Sequence, residues 1–170
     1  MKGLVHIYTG DGKGKTTSAL GLALRASGQG FKVIIIQFLK GAPNCGEHRF
    51  ASKYQPFEIV QLTRGNCFTL PEEQLQQDVE RTMELVEDAI TGGKYRMVIL
   101  DEVFAAINRG MLDTAQIVDL IKRKPEEMEL VLTGRSAPAE IIELADYVTE
   151  MQMVKHPYSQ GIKGRRGIEF

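Results

Sequence analysis

Residues 9–17 read Thr9-Gly10-Asp11-Gly12-Lys13-Gly14-Lys15-Thr16-Thr17, set between the apolar run Leu4-Val5-His6-Ile7-Tyr8 and a stretch whose apolar residues recur at helical spacing. Alternating glycines let a backbone curl so that successive N–H groups point inward, and the helix that follows adds its positive N-terminal end. Lys15 adds a full charge, so the stretch predicts a phosphate-binding loop with a polyphosphate guest. Gly10, Asp11, Gly12, Lys13, Gly14, Lys15, Thr16 and Thr17 form the candidate nucleotide-binding set, with the Thr16 hydroxyl expected on the magnesium side. The usual pattern opens on glycine. Thr9 stands at that position and favours a specialised branch of the nucleotide-binding class.

Outward from the loop, Lys15 to about Gln29 reads as a helix with Leu20, Ala23 and Leu24 on its buried face. Lys32 to Phe38 is a β-branched run of the kind found in a central parallel strand covered on both faces. The segment Lys40 to Tyr54, with Gly41, Pro43, Asn44 and Gly46, reads as a loop, and a third strand follows at about Phe57 to Leu62. Leu75, Val79, Met83, Val86 and Ile90 mark a long surface helix from Pro71 that Gly92-Gly93 ends. Beyond it come a strand at Arg96–Leu100, a helix at Thr114–Lys124, a strand at Glu129–Thr133, a short helix at Ala139–Ala145 and a last strand at Tyr147–Val154.

Strict alternation of strand and helix argues an α/β fold: a mostly parallel sheet with helices on both faces, three layers in all, like the RecA-like phosphate-loop nucleoside triphosphatases. Ligands of such sheets bind at the carboxyl ends of the strands, so the loops after Tyr8, Phe38, Leu62, Leu100 and Thr133 should gather around the site. A chain of 170 residues is expected to form one domain, residues 1–170. With 43% hydrophobic and 25% charged residues it reads as an ordinary globular protein, and a net charge of -1 gives no basic field for nucleic acid. No apolar stretch is long enough to span a bilayer and no signal peptide precedes the first strand, so a cytoplasmic protein without a membrane partner is expected. Cys45 and Cys67 lack metal-ligand spacing and read as reduced bystanders.

Two further groups carry chemistry, and a third does not. Val98-Ile99-Leu100-Asp101-Glu102 ends an apolar strand in two carboxylates, the expected magnesium-side acids beside a phosphate loop. Thr133-Gly134-Arg135 ends another strand, where the planar fork of Arg135 could reach phosphate. His156 follows Lys155 in a polar tail and reads as a solvent-exposed histidine.

Taken together, residues 9–17, Gln37-Phe38-Leu39-Lys40-Gly41, Val98 to Glu102, Thr133 to Arg135 and the tail motifs Val154 to Tyr158, Gly161-Ile162-Lys163 and Gly167-Ile168-Glu169-Phe170 resemble the ATP:corrinoid adenosyltransferases of the bacterial cobalamin pathway. The resemblance runs from end to end, in the family's order and spacing. It implies transfer of the 5′-deoxyadenosyl group of ATP to the cobalt of a reduced corrinoid with release of triphosphate. In the family the triphosphate lies on the loop in reverse polarity, so that C5′ faces the second substrate. Lys15 would then counter the triphosphate charge, Thr16 would lie near Mg²⁺, and Arg25 would lie near the nucleoside. Asp101 and Glu102 would serve the metal and ribose side, and Phe68 would act on the corrinoid in the loop after the third strand. Leu70 stands where the family has tryptophan, and Ser159 where it has an acidic residue. A reduced flavoprotein as electron donor and a homodimer are further implications. Two other readings of the same loop stand beside this one: a conventional phosphate-loop ATPase or kinase, and a non-catalytic module switched by ATP.

Overall fold

The burial of each strand follows the apolar pattern of its sequence. The computed structural model describes residues 1–41 and 45–170. Six strands, β1 (Val5–Thr9), β2 (Val33–Gln37), β3 (Glu58–Gln61), β4 (Met97–Asp101), β5 (Glu129–Thr133) and β6 (Tyr147–Glu150), form one sheet in the order β3-β2-β4-β5-β1-β6. Every neighbouring pair is parallel. The expectation of a mostly parallel sheet is thus met with no antiparallel strand in it. Strands β2 and β4 are buried along their whole length, as their unbroken apolar runs require, whereas β6 at the edge is exposed throughout.

Two cores cover the two faces. On one, Val33, Ile35, Met97, Ile99 and Val131 of the sheet meet Ala19, Ala23 and Ala26 of helix α1 (Lys15–Gly28) and Ala51 of α2 (Gly46–Tyr54). An alanine stripe lets α1 lie close against the strands. On the other, Ile34, Ile36, Val98, Leu100, Leu130 and Leu132 are covered by apolar side chains of α3 (Glu72–Thr91), α4 (Val103–Asn108), α5 (Thr114–Arg123) and α6 (Ala139–Leu144). The three layers predicted from the strand–helix alternation are therefore present.

Several local expectations need correction. Leu24, expected on the buried face of α1, is 55% exposed, because the smaller alanines take the sheet-facing stripe. The segment 40–54, expected as a loop, holds helix α2 from Gly46; the turn residues Pro43 and Asn44 lie outside the described residues. Helix α4 was not foreseen, and the last strand stops at Glu150, short of Val154.

Candidate active site

Because all strands run one way, their carboxyl ends share one rim, and the phosphate loop leaves β1 between β5 and the edge strand β6. Met151 after β6 donates its N–H to the Thr9 carbonyl (2.8 Å), and the Gly12 N–H donates to the Met151 carbonyl (2.6 Å). A side chain on Gly10 or Gly12 would put its Cβ 2.5–2.6 Å from that carbonyl oxygen, so glycine is obligatory for the approach. Gly14 closes the loop with φ 119° and starts α1.

Lys15 is buried and folds back on the loop, its Nζ donating to the Gly10 and Gly12 carbonyls at 2.6 and 2.8 Å. Burial pulls its pKa below the usual lysine value, against the opposing pull of Glu102. Thr16 donates its hydroxyl to Asp101 Oδ1 at 2.9 Å. Asp101 is fully buried and also accepts from Thr133 Oγ1 (2.7 Å), Gln37 Nε2 (3.1 Å) and Lys40 Nζ (2.5 Å). Lys40 reaches Thr16 Oγ1 as well, at 3.1 Å. Desolvation opposes the Lys40 charge, yet the charge and hydrogen bond of Asp101, with Glu102 and Glu47 behind them, carry its pKa above the ordinary value. His48 on α2 bonds Gln37 Oε1 at 2.7 Å and is itself shifted down by desolvation.

Glu102 sits at φ 59°, with its N–H on Thr133 Oγ1 at 3.0 Å. Burial and then the neighbouring Asp101 raise its carboxyl above the usual range, while Lys40, Lys15 and Arg135 pull the other way. Leu39, Glu102 and Ser136, just past the ends of β2, β4 and β5, all take positive φ values near 50–59°. Such residues cluster where a chain must turn sharply to present side chains.

A cavity of about 240 Å³ runs along Asp11–Thr17 and is bounded by Glu102, Arg135, His156, Ile168 and Glu169. Arg135 and Asp11 face each other across it, 3.6 Å apart and both well exposed. Lys13 donates to the Ile168 carbonyl (3.2 Å) and pairs with Glu169 (3.1 Å), drawing the C-terminal tail over the loop. Next to this space lies a second, more apolar cavity of about 510 Å³ between α1, α2 and the tail, walled by Thr17, Leu20, Leu24, Phe50, Ile168 and Phe170.

The structure therefore brings Gly10 to Thr17, Asp101, Glu102 and Arg135 together. Arg25 is exposed in the last turn of α1. Ten positions from Lys15, it stands about 15 Å along the helix axis, beyond reach of the loop itself. Phe68 is 88% exposed, its N–H on Asn66 Oδ1 (2.9 Å), so it is no core aromatic. Leu70, in contrast, packs on the core. Lys40, Gln37, Thr133 and His48 escaped the sequence reading as individual site residues, and His156, read as solvent-exposed, borders the loop cavity. The strand-end positions of Lys40, Gln37 and Thr133 were the available signal. Among the described residues there is no cluster of three or more His, Cys, Asp or Glu side chains that could cage a metal. The donor set of a hydroxyl and a carboxylate, already bridged by an ammonium, does fit a Mg²⁺ that draws its remaining ligands from phosphate and water.

A parallel sheet with a glycine-rich loop ahead of α1 and an acid at the end of β4, one strand removed from β1, defines a phosphate-loop nucleotide-binding protein. The fold agrees with that of a KaiC-like protein of Pyrococcus horikoshii, matched with a TM-score of 0.54 over 89% of this chain and 73% of that one, at 16% identity. The chain belongs to the family described as ATP:corrinoid adenosyltransferase BtuR/CobO/CobP, whose model matches residues 1–170 and whose reaction in cobalamin metabolism joins the adenosyl group of ATP to a corrinoid. It is similar to the corrinoid adenosyltransferases of a Sinorhizobium species (38% identical, 99% of this chain and 81% of that one) and of Pseudomonas aeruginosa (36%, 99% and 84%). The Escherichia coli K12 corrinoid adenosyltransferase is 32% identical over 99% of this chain and 86% of its own. None of these findings favours the ATPase, kinase or switch readings. No helix among the described residues is long and apolar enough to cross a membrane.

Proposed function

We propose that this site transfers the 5′-deoxyadenosyl group to a Co(I) corrinoid by direct attack on C5′, with the triphosphate held on the loop from Gly10 to Thr17 as the leaving group. The observation that carries this reading is the hydrogen-bonded cluster of buried Asp101 with Thr16 and Lys40, beside Lys15, which lies on the loop's own carbonyls. Such a site is built to hold a polyphosphate and stabilise its departure. A Co(I) nucleophile has no proton to lose, so positioning and charge do the work and no general base is required. Lys15 leaves the Gly10 and Gly12 carbonyls for the triphosphate, and Arg135 and Lys13 add charge at the cavity rim. Thr16 and Asp101 would hold Mg²⁺, with Glu102 beside them. The ion would neutralise the triphosphate as it leaves. Arg25 serves the nucleoside end, and exposed Phe68 is free to meet the corrinoid. A cytoplasmic homodimer supplied with electrons by a reduced flavoprotein completes the proposal.

The test is an anaerobic reaction with ATP, Mg²⁺ and chemically reduced cobalamin or cobinamide. Expected are a light-sensitive alkylcorrinoid and free triphosphate, both reduced about 100-fold or more in Lys15→Ala. ADP and phosphate without an alkylated corrinoid would overturn the proposal.

A further inference from the structure

Asp101 is completely buried, and its carboxylate accepts from three neutral groups, Thr16, Gln37 and Thr133. Those bonds satisfy lone pairs but do not neutralise charge, and a buried carboxylate without a counter-charge is strongly disfavoured. The cation that meets it is Lys40. Lys15, the loop's own lysine, is turned onto backbone carbonyls instead. The Lys40 ammonium touches Asp101 Oδ2 at 2.5 Å and Thr16 Oγ1 at 3.1 Å, so it rests on both side chains that the site offers to a divalent ion.

The backbone at Lys40 is held from two sides. Its carbonyl accepts from Gln61 Nε2, and the next residue, Gly41, accepts from the Gly65 N–H at 3.4 Å. Leu39, at φ 50°, turns the chain so that residue 40 reaches back over the strand ends. Its four-carbon side chain, intrinsically flexible, lines the apolar cavity and keeps 28% of its surface exposed.

We propose that Lys40 is a built-in counter-ion of the nucleotide site: its ammonium holds the cation position between Thr16 and Asp101 until a divalent ion arrives with triphosphate, and then moves to the triphosphate. The inference rests on the metal position given under the proposed function. Two cations cannot share one pair of oxygens, so a bare divalent ion must expel Lys40 from both hydrogen-bond partners and supplies no new anionic partner for it, leaving only the longer-range pull of Glu102 and Glu47. An ion that comes with ATP brings that partner. Metal binding is thereby made conditional on nucleotide, with Lys40 as the positioning residue that couples the two.

Mn²⁺, followed by the loss of its free-ion paramagnetic resonance signal, reads this out in nucleotide-free protein without any turnover. Wild type is expected to bind it weakly and Lys40→Met at least tenfold more tightly, a gain that a further Asp101→Asn change removes. ATP should tighten Mn²⁺ binding strongly in wild type and far less in Lys40→Met. Should the methionine variant fail to fold, Lys40→Gln keeps a donor to Asp101 and is expected to show the same gain. Equal Mn²⁺ affinity in wild type and the Lys40 variants, with Asp101 still needed for Mn²⁺ binding alongside ATP, would overturn the role of Lys40 and leave the metal position standing. Mn²⁺ binding alongside ATP that ignores Asp101→Asn would overturn both.

Discussion

At Thr9 the chain is still extended, the last residue of β1, and nothing in its backbone asks for glycine. Its hydroxyl accepts the Ala137 N–H at 3.2 Å and so ties the start of the phosphate loop to the turn after β5. Glycine there would lose that bond and add chain freedom to a strand end, at a cost of roughly 1–2 kcal/mol. Urea unfolding of Thr9→Gly checks this, and an unchanged midpoint would refute it. The loop, Lys15 and Thr16 were legible from local spacing alone, and Asp101 from its place at the end of an apolar strand in a chain that carries such a loop. Lys40, Gln37 and Thr133 were not, since they meet Asp101 across 61, 64 and 32 residues of sequence, and only the strand order makes them neighbours. Leu24 misled for a related reason: hydrophobicity suggested burial, but α1 chose alanines for closeness to the sheet, leaving Leu24 to wall the apolar cavity.

Among the elements, α4 is the clearest case of structure imposed by packing. Its six residues would not hold as an isolated helix, and they are fixed by Val103, Phe104 and Ala106 entering the core. Gly134, at φ 144°, lets this happen: a Cβ there would meet Phe104 Cβ at 2.7 Å. Gly134→Ala is expected to cost about 2 kcal/mol or more through strain and overpacking. Calorimetry would register it as a lowered Tm. Helix α2 hid behind the turn residues that precede it, whereas α3 and α5 were readable from periodicity over longer spans.

The tail is an element of another kind, held by charge. Glu169 is depressed to about 2 by the Arg165 side chain, then by the Arg165 backbone N–H and Lys13. A carboxylate depressed in the folded protein contributes fully above its ordinary value of 4.5 and loses that contribution as pH falls through about 2. The tail should therefore stay docked at neutral pH and loosen progressively between those limits, and it should also loosen in high salt because the pairs are exposed. ¹⁵N relaxation of residues 165–170 across that pH range tests this. A tail equally mobile at pH 7 and pH 3 would contradict it.

Over the whole molecule, the site draws on the ends of β1, β2, β4 and β5 at once, so a bound ligand should stiffen the sheet and not only the loop. ATP with Mg²⁺ at a hundredfold its Kd would add about 2.7 kcal/mol. For a protein of this size that corresponds to a Tm gain of about 5–10 °C. Thermal shift and hydrogen exchange at the ends of β4 and β5 measure the two consequences, and protection confined to residues 10–17 would count against the shared rim. The alternating pattern announced the layers from sequence. The order of strands was not readable, because parallel strands pair through crossovers whose partners no local signal names.

That order also has a temporal side. β1 leaves the ribosome well before both strands that flank it, β5 and β6. The Gly12 N–H waits on the Met151 carbonyl, so a nascent chain carries its anion cradle as unfastened string until the segment after β6 has been made. Nucleotide has nothing to grip on a half-finished chain. Premature termination anywhere before residue 151 would leave a product that cannot sequester ATP, however well its early helices form.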